Sequence, residues 1–292
     1  MGPRFPHWLQ SLYPFEPQRF DTGRGVMSYL DEGTGDEAVV MVHGNPTWSF
    51  FYRHLVLGLR GRIRCIAVDH LGCGLSEKPQ DFNYTLAEHT ANLRRLLDSL
   101  GLRRIHLIVH DWGGPIGLGA TLANPGQLAR VVILNTAAFA DTRVPARIRL
   151  CRVPRLGEWL VRGLNGFAWP ATWMAVSKRL PADVRRGYLY PYNNWSNRIA
   201  THRFVVDIPR DEGGPSDRAL AEVQAKLSIL RDRPVRILWG GDDFCFDRHY
   251  YNRWRVILPG AFADYLEGAG HYVLEDAREY CLREISAFLN LP

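Results

Sequence analysis

The sequence predicts a doubly wound, mostly parallel α/β sheet carrying an inserted helical cap. Three observations lead there. Short β-branched runs alternate with helix-length stretches at both ends of the chain, and the runs are apolar almost without interruption. The alternation stops after Asn135 and resumes near Pro234, leaving a middle segment of different character.

In chain order, Ala38 to His43 and Ile63 to Asp69 read as strands, because a strand covered on both faces needs continuous apolar character. Leu86 to Leu100 reads as a helix, with Leu86, Leu93, Leu96, Leu97 and Leu100 at helical spacing. Arg104 to His110 is the next strand, Pro115 to Ala123 a helix, and Arg130 to Asn135 another strand. The middle segment holds Trp159, Trp169, Trp173 and Trp195, many prolines, and an amphipathic stretch with Leu156, Trp159, Leu160 and Leu164 on one face. Helices lying over the strand ends are expected there, with Trp159, Trp169, Trp173 and Tyr188 mainly in the cap's core and some of them walling a tunnel. Strands resume at Val235 to Trp239 and Ala263 to Glu267, and Glu275 to Leu289 reads as the final helix. The expected division is a core over 1–138 and 230–292 and a cap over 139–229.

With 292 residues, 46% hydrophobic, the chain can bury a large core, which excludes disordered, collagen-like and disulfide-framed classes. No run approaches the roughly 18 apolar residues of a spanning helix. The opening MGPRFPHWLQ has charge and Pro where a signal peptide is apolar, so a cytoplasmic location is expected. Pro6 stands where a myristoylation signal on Gly2 needs Ser or Thr. Cys65, Cys73, Cys151, Cys245 and Cys281 are odd in number and scattered; reduced thiols are expected, and neither a metal nor a cofactor is implied. The formal charge of +6 is local: ten basic and three acidic residues lie between Asp141 and Arg186, a net +7. A general nucleic-acid footprint is thereby excluded. The basic cap is either a solvated face or a docking surface for an acidic partner or a membrane surface.

Chemistry concentrates at three strand ends. Ile105-His-Leu-Ile-Val-His-Asp-Trp-Gly-Gly114 has the form of a nucleophile elbow with Asp111 at its tip, although Val109 occupies a place where such elbows prefer a small residue. A carboxylate attacks sp³ carbon well and carbonyls poorly, which points to displacement at an alkyl carbon through a covalent ester. The bland reading of Asp111 is a helix cap. His43-Gly-Asn-Pro-Thr-Trp48 follows a strand and brings Asn45 to the same sheet edge, where a Gly-Asn-Pro stretch is otherwise just a turn. Gly268-Ala-Gly-His-Tyr272 follows the last strand and offers His271 as a general base. The orienting acid is Asp242 or Asp243, and the turn length favours Asp243. The order Asp111, Asp243, His271 is the nucleophile, acid, base order of the α/β-hydrolase fold.

These motifs, with Asp69-His-Leu-Gly-Cys-Gly-Leu-Ser-Glu-Lys-Pro79, Trp239-Gly-Gly-Asp-Asp243 and Gly270-His-Tyr-Val-Leu-Glu-Asp276, resemble the haloalkane dehalogenase superfamily over nearly the whole chain. An acid after the late strand and an Asn in the first motif fit its third subfamily. The resemblance implies that Asn45 and Trp112 hold the leaving anion. Asn135-Thr-Ala-Ala-Phe139, Pro191-Tyr-Asn-Asn-Trp-Ser-Asn-Arg-Ile-Ala-Thr201, Arg203-Phe204 with Asp207-Ile-Pro209, and Asp243-Phe-Cys-Phe-Asp-Arg-His249 further resemble the β-lactone decarboxylases of bacterial long-chain olefin biosynthesis. That likeness implies conversion of a cis-3,4-dialkyl-β-lactone to a cis-alkene and carbon dioxide. It also implies a small hydrophobic substrate and makes other olefin-biosynthesis enzymes candidate partners for the basic cap. The alternatives are hydrolytic dehalogenation on the same five residues, an epoxide hydrolase using Tyr188, Tyr190 or Tyr192, and a noncatalytic subunit.

Overall fold

The computed structural model describes residues 5–209 and 213–291, so Gly2 lies outside the described residues. A short helix α1 (His7–Leu12) leads into β1 (Gln18–Asp21), β2 (Val26–Glu32) and β3 (Glu37–Val42). Then come α2 (Arg53–Leu59), β4 (Arg64–Val68), α3 (Leu86–Ser99), β5 (Arg104–Val109), α4 (Gly113–Thr121) and β6 (Leu128–Leu134). The eight strands form one sheet in the order β1-β2-β4-β3-β5-β6, continuing to β7 (Val235–Gly240) and β8 (Phe262–Leu266). Neighbouring pairs from β4 to β8 are parallel, and β2 runs against both of its neighbours. This is the α/β-hydrolase fold.

Central strands β3, β5 and β6 are buried on both faces, as their apolar runs require. Their expected ends shift by one or two residues. The antiparallel pair β1 and β2 is not signalled by such runs: β1 is a mostly exposed edge, and β2 mixes apolar with acidic positions. In α3 the Thr85 hydroxyl caps the Glu88 N–H, while Leu86, Leu93, Leu96 and Leu97 are buried. Instead of one final helix, α12 (Val273–Asp276) and α13 (Arg278–Phe288) are separated at Ala277, whose ψ of 36° breaks the helical path.

Between β6 and β7 the chain is helical: α5 (Ala146–Cys151), α6 (Leu156–Glu158), a π-turn Trp159–Gly163, α7 (Ala168–Met174), α8 (Ala182–Leu189), α9 (Ile199–Val206) and α10 (Pro215–Lys226). Helix α10 packs on α3 and α4, with Leu220 and Val223 in the same core cluster as the sheet. Two expectations need correction. Leu156, Trp159 and Leu164 do not face the sheet; they are exposed, and Val161 and Arg162 are buried in their place. A π-turn widens the helical spacing, so residues three and four apart no longer share a face. Trp159, Trp169 and Trp173 are likewise exposed rather than cap core, because Val161, Ala168 and Thr172 already fill the inward side of these short elements; Tyr188 is buried. Helices α11 (Arg248–Ile257) and α13 complete the flanking layers, with Tyr250 and Trp254 in one core cluster and Cys281 and Ile285 in the other.

Candidate active site

Strand β5 delivers its chain into a turn where Asp111 takes a φ of +51°, a conformation that needs support around a residue with a Cβ. The Asp111 N–H donates to Asn135 O at 3.0 Å, and the Asp111 carbonyl accepts from Gly114 N–H at 2.9 Å and from the Thr136 hydroxyl. Glycine is required just beyond: a Cβ on Gly113 would stand 1.9 Å from Val42 O, and one on Gly114 2.0 Å from Thr136 Oγ1. Val109 fits because Gly117 faces it, where a Cβ would lie 2.8 Å from Val109 Cγ1. No side chain caps α4. The Asp111 carboxylate instead accepts the Asn45 backbone N–H at 2.6 Å on Oδ1, and the Trp112 N–H.

His271, after β8, turns its Nε2 to 3.8 Å from Asp111 Oδ2 and its Nδ1 to 2.7 Å from Asp243 Oδ2. Asp242 points elsewhere, accepting from the Ser177 hydroxyl at 2.9 Å. Asp243 Oδ2 also accepts from Asn135 Nδ2 at 3.0 Å, and its Oδ1 from Cys245 N–H at 2.7 Å. Burial alone pushes the His271 imidazole down; the charge and hydrogen bond of Asp243, with Asp111 behind them, outweigh it and raise its pKa. Burial raises the Asp111 carboxyl against the opposing pull of His271 and the two backbone N–H groups.

Asn45 gives one amide hydrogen to Thr201 O at 3.1 Å, and its second N–H has no partner among the described residues. Trp112 packs against Phe204. Both residues, with Asp111 and His271, line a cavity of about 440 Å³ whose remaining wall is largely apolar, including Phe139, Ile148, Met174 and Phe246. Tyr188, Tyr190 and Tyr192 do not line it: Tyr188 donates to Glu275, Tyr192 to Thr47 O, and Tyr190 packs on Phe5 and Trp8. An epoxide hydrolase's paired cap tyrosines are therefore not offered by this trio. The five cysteines are free thiols, four of them buried.

The sequence alone assigns no role in the site to Asn135. Its amide binds Asp243 and both polar groups of the Gly240 backbone, and its carbonyl holds the elbow. The available signal was an Asn directly after the strand beside the elbow strand. Gly44 was also unassigned; a Cβ there would stand 2.0 Å from Asp111 Oδ1.

The alpha/beta hydrolase fold family matches residues 37–277. The chain belongs to that family. It is 47% identical to the cis-3-alkyl-4-alkyloxetan-2-one decarboxylase of Xanthomonas campestris, over 95% of this chain and 97% of the relative. It is 34% identical to haloalkane dehalogenase 2 of Mycobacterium tuberculosis, over 91% and 92% of the two chains. The crystal structure of a haloalkane dehalogenase from Agrobacterium tumefaciens superposes with a TM-score of 0.85 at 25% identity, covering 98% of this chain and 99% of that one.

Proposed function

We propose that the enzyme converts cis-3-alkyl-4-alkyl-β-lactones to cis-alkenes and carbon dioxide, with Asp111 as nucleophile. Asp243 and His271 set the charge beside it, and Asn45 and Trp112 hold the departing anion. We take 139–229 as the cap, with α10 as its return to the core face. One observation carries the reading: the elbow presents a carboxylate, not a hydroxyl or thiol, to an apolar cavity. The decarboxylase relative supports the substrate class.

Asp111 attacks the ring carbon that bears the lactone oxygen, with inversion; the C–O bond breaks and a β-carboxylate is released toward Asn45 and Trp112. Loss of carbon dioxide sends the C–C electron pair into the new double bond and expels Asp111. Anti elimination after inversion carries a cis ring to a cis alkene. No water or net proton enters the balance. This reading implies other enzymes of olefin biosynthesis as suppliers of the lactone.

Hydrolytic dehalogenation is the second reading, favoured by the His271 placement: Nε2 beside Asp111 and Nδ1 on Asp243 is the geometry that activates water against an alkyl ester. A cis-dialkyl-β-lactone and a 1-bromoalkane assayed side by side separate the two. Alkene from the lactone with slow bromide release is expected. Fast bromide release without alkene overturns the first reading, and full turnover by Asp111→Ala overturns both.

A further inference from the structure

The cap carries an apolar surface that the chemistry leaves unused. Leu150, Trp159, Leu164 and Trp169 are 50%, 53%, 57% and 55% exposed, and Trp173 and Phe244 are exposed beside them. Leu150, Leu164 and Phe244 also line the cavity that holds Asp111, so part of this exposure lies at its opening. Trp169 and Trp173 pack edge to face at 4.3 Å on α7, whose Pro170 and Met174 line the same cavity. Trp159 accepts the Leu164 N–H at 3.2 Å, one turn away. Exposed apolar groups gathered beside one cavity mark an interaction surface.

The charge around them is positive. Arg147, Arg149 and Arg155 are exposed on α5 and at the start of α6, with no ion pair among the described residues. Arg147 lines the cavity mouth and lies over the Phe244 ring. The nearby acids are already answered: Glu158 by Arg162, and Asp141 by Arg253 and His249. Tryptophan and leucine interleaved with unpaired arginine is the chemistry of a segment lying in the interface of an anionic bilayer.

We propose that this face of the cap docks on an anionic lipid bilayer, with the cavity mouth turned to the acyl region, so that an alkyl substrate reaches Asp111 without crossing water. A protein seated on the same ring would close the route to Asp111, whereas a bilayer leaves the mouth open to a fluid apolar phase. Docking stands on the surface alone; the passage of substrate rests on the function proposed above.

The full chain is sedimented with vesicles of mixed phosphatidylglycerol and phosphatidylcholine, and with phosphatidylcholine alone. Binding to the first, with a blue shift of tryptophan emission and release at about 0.5 M NaCl, is the expected result. The double variants Arg149→Glu with Arg155→Glu, and Trp169→Ser with Trp173→Ser, each weaken it by about tenfold. None of these four residues lines the cavity, so turnover of a short, water-soluble lactone stays at the native level. Native protein left in the supernatant with both vesicles overturns the proposal and leaves the face to a protein. Equal binding to both vesicles, unmoved by the arginine variants, overturns it as well. Normal vesicle binding without lactone turnover counts against the proposed reaction and leaves the docking surface standing.

Discussion

Asp111 and His271 stand 3.8 Å apart, and under the proposed reaction and its hydrolytic rival their ionisations govern different steps. Decarboxylation needs Asp111 ionised and draws no proton from His271; ester hydrolysis needs His271 neutral. The Asp111 carboxyl is raised above its usual 3.8, so alkene formation falls as pH drops through a value above 3.8. The His271 imidazole is raised above 6.5, so any bromide release falls earlier, through a value above 6.5. Profiles of kcat/KM on a lactone and a bromoalkane should therefore part on the acid side; an alkene profile following the higher value would assign neutral His271 to the decarboxylation as well. What the sequence reveals of the site follows the same physics. Asp111, Asp243 and His271 each sit two to five residues beyond a strand end, where strand polarity alone brings them to one edge. Asn135 and Gly44 were not legible because their roles depend on cross-strand register and close approach, which no local pattern encodes.

Helices α2, α8 and α12 meet at a buried ion pair. Arg53 donates to both Glu275 oxygens, at 2.6 and 3.0 Å, and to Phe50 O at 2.9 Å, while the Tyr188 hydroxyl donates to Glu275. Tyr188 also stacks on Tyr272, the neighbour of His271, so α8 is latched to the turn that carries His271. Removing one partner leaves a buried charge unanswered, a loss of about 3–5 kcal/mol. Glu275→Gln should lower the urea midpoint at neutral pH accordingly; a loss under about 1 kcal/mol would mean that water already screens Arg53. Burial acts to raise the Glu275 carboxyl, but Arg53 and Tyr188 outweigh it and hold it below 4.5, so the stabilisation is present above that pH and disappears as pH falls through the lower folded value. The variant's stability should be flatter with pH in that window. Elements were legible where burial is two-sided, as in β3 and β5, and not where it is one-sided or interrupted. The polar edge β1, the π-turn that rotates Trp159 outward and the break at Ala277 all lack a sustained period.

Across the whole molecule the cap is fastened unevenly. Ala168, Ala175, Val184, Tyr188 and Tyr192 share one apolar cluster with Trp48, Phe50 and the face of the sheet, and Ile199, Ala200 and Phe204 share the cluster on its other side. Backbone and side-chain bonds add to this: Trp48 Nε1 donates to Gly187 O at 3.1 Å and Tyr272 N–H to Ala175 O at 2.7 Å. Ile148, Cys151 and Val161 belong instead to a small separate cluster closed by Val205 of α9. Little apolar area ties α5 and the π-turn to the sheet, so their opening should cost much less than global unfolding. Amide hydrogen exchange is expected to show α5 and Trp159–Gly163 exchanging by local opening, insensitive to low denaturant, while α8 and α9 exchange together with β5 and β6. Protection of α5 equal to that of β5 would mean the cap opens only with the whole fold. Because the loosely held elements carry Leu150 and Leu160, which line the cavity, the same local opening would set the rate at which a bulky substrate enters. Slower exchange of α5 on anionic vesicles than in buffer would tie that gate to the docking surface.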